Sequence, residues 1–64
     1  MQRLKLHIKK QDGSTYWVAY FDYRDRLNSW LSEEKQRPYW DASYVSDVYL
    51  LDDYNNETLL EGNV

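Results

Sequence analysis

Between Gln2 and Lys10 the even positions Leu4, Leu6 and Ile8 are apolar and alternate with Arg3, Lys5, His7 and Lys9. A repeat of two marks a strand with one buried face and one wet face, because successive side chains on extended backbone point to opposite sides. Asp12-Gly13 follows, the pair favoured in a two-residue hairpin turn whose central positions both need positive φ. Residues 15–23, rich in aromatic and β-branched side chains, supply the returning strand. A two-residue turn then determines the register: Ile8 faces Trp17, Leu6 faces Ala19 and Leu4 faces Phe21 on the core side. On the outer side Lys9 faces Tyr16, His7 faces Val18, Lys5 faces Tyr20 and Arg3 faces Asp22. A three-residue turn would shift this pairing, so the shorter loop is expected.

A helix is expected to follow and to run to about residue 36. Tyr23, Leu27, Trp30, Leu31 and Glu34 fall at i, i+4, i+7, i+8 and i+11, which lines the apolar members along one stripe. Asp22 or Asp25 is placed to accept hydrogen bonds from the free N–H groups at its start. Arg37-Pro38 ends it, since the residue before proline is pushed out of the α region. The stripe is expected to cover the Trp17 and Phe21 face, leaving Arg24, Asn28, Ser32, Lys35 and Gln36 in solvent. Residues 39–43 form a connector with Trp40 capping the core. Residues 44–54 are rich in Val and Tyr, and Asn55-Asn56 signals a turn before Thr58, Leu59 and Leu60, so a second hairpin is expected. Tyr44, Val48 and Leu51 would also line a helix face capped by Ser43, and periodicity alone does not arbitrate. The expected fold is α+β: one domain over residues 1–64, an antiparallel sheet in the order β-β-α-β-β, and one helix packed on one face.

A chain of 64 residues buries only roughly 60% of its unfolded surface. Its core must therefore be dense, and three Trp, seven Tyr and one Phe can fill it. The chain has no cysteine, which removes disulfides and thiolate chemistry and points to a reducing compartment. The charged N-terminus and the lack of a long apolar run point to a cytoplasmic protein. Asn56-Glu57-Thr58 then reads as a chance glycosylation sequon. Catalysis finds no foothold: His7 is the only histidine, and Ser14, Ser29, Ser32, Ser43 and Ser46 have no evident base. The segment from Asp52 to Glu57 lacks the glycine of a calcium loop. No metal, no cofactor and no enzymatic activity are expected, and a domain this small is expected to lack a pocket of the usual ~300 Å³ or more.

Charge is segregated along the chain. Residues 1–40 hold all eight bases and five acids, while residues 41–64 hold six acids and no base. Asp41, Asp47, Asp52, Asp53, Glu57 and Glu61, interleaved with Tyr44, Tyr49 and Tyr54, are expected to form one acidic surface that attracts a cationic partner. Within it Asp41, Asp47, Tyr49, Asp52, Asp53, Tyr54, Glu57 and Glu61 are the candidate partner-binding residues. An alternative is the outer face of the first hairpin, where Lys5, His7, Lys9, Tyr16 and Tyr20 could bind single-stranded nucleic acid by stacking and phosphate neutralisation. Aromatic side chains also occupy both faces of the second strand, although one helix covers only one face. The other face must meet solvent, a partner or a second copy, so a homodimer is a further expectation.

The segment DASYVSDVYLLDDYNNETLLEG, acidic, tyrosine-rich and free of cysteine, resembles small phage-encoded inhibitors of the anti-CRISPR and anti-restriction type in size and character. The resemblance implies a non-enzymatic protein that docks onto a basic, nucleic-acid-binding groove of a larger host defence protein, some members using acidic side chains as a DNA mimic. Residues 1–40, net positive, depart from the most acidic mimics.

Overall fold

The computed structural model describes residues 3–64. Strands β1 (Arg3–Lys9) and β2 (Thr15–Phe21) precede helix α1 (Arg24–Glu34), which is followed by β3 (Val45–Leu51) and β4 (Glu57–Glu61). The strands form one sheet in the order β2-β1-β3-β4, antiparallel throughout. The expected α+β architecture is therefore present, and residues 45–51 are strand and not helix. Residues 45–51 pair along the second edge of β1, and Val48 joins Leu4, Leu6 and Ile8 in the core under α1. Gln2, expected to begin the first strand, lies outside the described residues.

The register of the first hairpin is as expected over Leu4–Phe21, Leu6–Ala19 and Ile8–Trp17, but it is reached by a different route. Lys10 N–H donates to Ser14 C=O at 2.8 Å and Gly13 N–H donates to Lys10 C=O at 3.0 Å, so Gln11, Asp12 and Gly13 form a three-residue loop. Gly13 takes φ 90°, the left-handed position such loops require. The one-residue shift this causes is cancelled by a bulge: Lys9 pairs with Thr15, and Tyr16 is the extra residue before Trp17. The expected facing of Lys9 and Tyr16 is thus overturned. The second hairpin repeats the same loop, with Asn55 at φ 64° in the position of Gly13.

Leu4, Leu6 and Ile8 of β1, Leu27 and Leu31 of α1 and Val48 of β3 form the core, sealed by half-buried Tyr16, Phe21, Trp30, Trp40, Tyr44, Leu50 and Val64. Leu27 and Leu31 are one helical turn apart, so a single stripe of α1 docks on the sheet. Phe21 meets Trp30 at a ring separation of 5.8 Å, whereas Trp17 remains 55% exposed, so α1 covers only part of the expected β2 face. The N-cap of α1 is Tyr23, with no side-chain cap bond, in place of either expected aspartate. Asp25 sits instead in the first turn, where its charge favours the positive end of the helix dipole. Beyond β4 the chain stays alongside β3. Val64 N–H donates to Ser46 C=O at 2.8 Å, and Lys35 at the end of α1 donates to Val64 C=O at 2.9 Å.

Candidate interaction surface

The six acids of the last third are dispersed by the fold. Asp47, on the outer sheet face, pairs with Lys9 at 3.1 Å and accepts Asn63 N–H at 3.0 Å. Glu57 pairs with Lys5 on the same face, and Glu61 reaches the helix side to pair with Arg24 at 2.6 Å. Asp41 and Asp52 each fold back onto backbone N–H groups, Asp41 onto Ser43 and Asp52 onto Tyr54 and Asn56. These two lie at opposite ends of the sheet: Asp52 follows Leu51, the partner of Arg3, while Asp41 lies beside the Lys10–Ser14 loop. Seven residues of β1 separate the ends, about 20 Å at ~3.3 Å per residue. Asp53 and Tyr54 project with Asp52 at the tip of the second hairpin, Tyr54 being 86% exposed. Tyr49 is half-buried beside Lys5. The expected acidic residues therefore do not share one surface.

The same ion pairs occupy the alternative basic face. Lys5 and Lys9 are engaged by Glu57 and Asp47, and each ammonium is held above its usual pKa, first by the hydrogen bond to its carboxylate. His7 Nε2 shares a 2.8 Å hydrogen bond with Thr15 Oγ1. Tyr20 is exposed on this face, but the bulge sends Tyr16 to the helix side, where it stacks on Tyr44 at 4.6 Å and meets Trp40 edge-on at 6.3 Å. Charge segregation in the sequence becomes charge pairing in the fold, each of these three pairs joining a base of the first forty residues to an acid of the last third.

Two other features present themselves to a partner. The first is the outer edge of β2, to which no strand pairs among the described residues. Its sequence, TYWVAYF, contains no charge or proline to blunt the edge, and the bulge at Tyr16 interrupts it only near its start. At the opposite edge β4 is two residues shorter and has a glutamate at each end. The second is a cleft of about 430 Å³ between β2 and the C-terminal half of α1, lined by Tyr16, Trp17, Trp30, Glu34 and Tyr39. The expectation that so small a domain has no room for a pocket is overturned, because the bulge turns two consecutive aromatic side chains toward one side. Composition signalled the aromatic surplus, but nothing local in the sequence marks the bulge that assembles it.

No three His, Cys, Asp or Glu side chains gather as a metal site among the described residues. No helix among them is long and apolar enough to cross a membrane. In comparisons with known proteins, no family model, no curated protein and no solved structure matches the chain.

Proposed function

We propose that the chain is a non-enzymatic interaction protein that engages a larger protein by strand addition along the open edge of β2. The carrying observation is that edge: uncharged, aromatic and β-branched strand, regular from Trp17 to Phe21 beyond its bulge, with no strand on its outer side among the described residues. Its free N–H and C=O groups can accept an extended segment, while alternate side chains, Trp17 on one face and Tyr20 on the other, supply anchors. Tyr and Trp suit this role because each presents a large rigid surface with a polar tip.

A narrower reading, an inhibitor that docks on a basic nucleic-acid-binding groove, is favoured by the tip of the second hairpin. Asp52 there stays ionised, its carboxyl held below the usual carboxylate value first by Asn56 N–H and then by the Asn56 side chain and Tyr54 N–H. Two adjacent acids and an exposed tyrosine at one turn make a compact anionic contact, smaller than the extended row of a DNA mimic.

Affinity capture from the native host with wild type and Tyr20→Glu tests the main reading. The substitution places a charge on the edge strand. Retention of a partner should fall at least about tenfold, a change on the scale of one interface anchor. Equal retention by the two proteins would sink strand addition, and tight, salt-sensitive binding of single-stranded DNA by the wild type would replace it with the nucleic-acid reading.

A further inference from the structure

We infer that the cleft between β2 and α1 is a binding site for a methylated ammonium group, of the kind carried by trimethyllysine or choline. Four aromatic side chains, Tyr16, Trp17, Trp30 and Tyr39, line it, and Glu34 is the sole charged residue among its walls. The faces of aromatic rings carry negative potential and attract cations within about 6 Å of the ring centre. The Glu34 carboxylate in the wall favours a cation over an anion or a neutral group, while the Arg37 cation, whose charge reaches Tyr39 from outside the lining, acts against it. Methylation favours the fit further, because a methylated ammonium gives up its water more easily than a bare one and offers an apolar surface to the rings.

Three of the four aromatic walls are held by contacts of their own. Tyr16 is braced by Tyr44 and Trp40, and Trp30 by Phe21. Tyr39 donates its hydroxyl to both Glu34 oxygens, at 2.9 and 3.2 Å, which aims the carboxylate and keeps the phenol protonated: its pKa is raised, first by that hydrogen bond. Trp17 and Tyr39 remain more than half exposed at the rim, so a ligand enters without displacing the core. At about 430 Å³ the cleft lies within the range of small-ligand sites, ~300–1,000 Å³. Trp17 belongs both to the β2 edge and to the cleft, but Tyr20, which tests strand addition, does not line the cleft, and small cations bind it without a partner protein, so the inference and the strand-addition reading fail separately.

The experiment is a titration of the full chain with choline, with N-acetyl-trimethyllysine amide and with 3,3-dimethylbutanol, the neutral carbon isostere of choline. Tryptophan fluorescence and the indole N–H resonances of Trp17 and Trp30 report occupancy. Both cations should bind with a Kd on the order of a millimolar and shift both indole signals, while the neutral isostere binds at least about tenfold more weakly, as a cation–π contribution of this size requires. Glu34→Gln should weaken the cations severalfold and leave the isostere unchanged. Trp17→Ala, a change at an exposed side chain, should remove the response while thermal melting confirms the fold. Equal binding of cation and isostere would overturn the inference by showing an apolar cleft without charge selection. Absence of any response in the folded wild type would overturn it as well.

Discussion

Asp47 is the side chain on which the outer sheet face turns. Burial raises the pKa of its carboxyl, but the Asn63 N–H, the Lys9 ammonium and the charge of His7 outweigh that and hold it below the ordinary value of 3.8. A carboxyl depressed in the folded state contributes stability that is fully present above the unfolded pKa and is lost as pH falls through the folded one. Asp47→Asn should therefore cost about 1–3 kcal/mol at neutral pH, the scale of a lost hydrogen-bond partner to a charged group. The deficit should shrink as pH drops below about 3.8. Urea titrations of both proteins at pH 7 and at pH 2.5 check this, and a deficit independent of pH would assign the loss to packing. Asp12, Asp41 and Asp52 are depressed in the same direction by donors in their turns, the Ser14 hydroxyl and N–H for Asp12, the Ser43 N–H and hydroxyl for Asp41, and the Asn56 N–H and side-chain amide for Asp52, so several carboxylates release stability on acidification. Nearby, Ser46 is buried opposite Ile8 and its hydroxyl has no hydrogen-bond partner among the described residues, an unsatisfied group in a small core.

At the scale of elements, two hairpins use one device. Each closes through a three-residue loop with a left-handed third residue, Gly13 in the first and Asn55 in the second. An added Cβ at Gly13 would meet no atom within 4 Å, so the cost of Gly13→Ala is conformational alone. The expected loss is about 1–2 kcal/mol, the usual penalty for a left-handed L-residue, and Gly13→Asn should lose less because asparagine tolerates that region. Chemical denaturation of the two variants measures the difference. Asp12-Gly13 announced a turn in the sequence but not its length. The two-residue and three-residue loops differ by one position, and that position is absorbed by the bulge at Tyr16. Strand edges likewise escape a local reading: that β2 lies at the rim and β1 inside is decided by β3 pairing with β1 across the helix connection.

Across the whole molecule, ion pairs and the C-terminal tail tie the two halves of the chain together. Lys5–Glu57, Lys9–Asp47 and Arg24–Glu61 all join the first half to the last third. Such pairs at the surface contribute little each, ~0.2–1 kcal/mol; Lys9–Asp47 links the neighbouring strands β1 and β3, Lys5–Glu57 reaches across β3 to β4, and Arg24–Glu61 ties the helix to β4. The tail does more. Val64 packs on the core, bonds to Ser46 and accepts from Lys35, and Asn63 N–H satisfies Asp47. Removing residues 62–64 should cost about 2–3 kcal/mol as these contacts go. For a domain of this size that corresponds to a melting temperature lower by ~10–20 °C, and an unchanged melt would show that the tail only rests on the sheet.

The alternation in residues 3–9, the apolar stripe of Leu27 and Leu31, the stop at Arg37-Pro38 and the turn residues are short-range patterns, and they determined the order of elements and the core side of β1, whereas the register of its apolar pairs holds only because the bulge at Tyr16 cancels the longer loop. Tertiary structure alone decided the order of strands in the sheet, the side on which Tyr16 emerges and the partner of each charge. These depend on residues far apart in the chain being brought together: Glu57 and Glu61 read as part of an acidic run until Lys5 and Arg24 stand beside them. The same holds for the aromatic cleft, where Trp17 from a strand, Trp30 and Glu34 from a helix and Tyr39 from a loop meet only after the sheet and helix have packed.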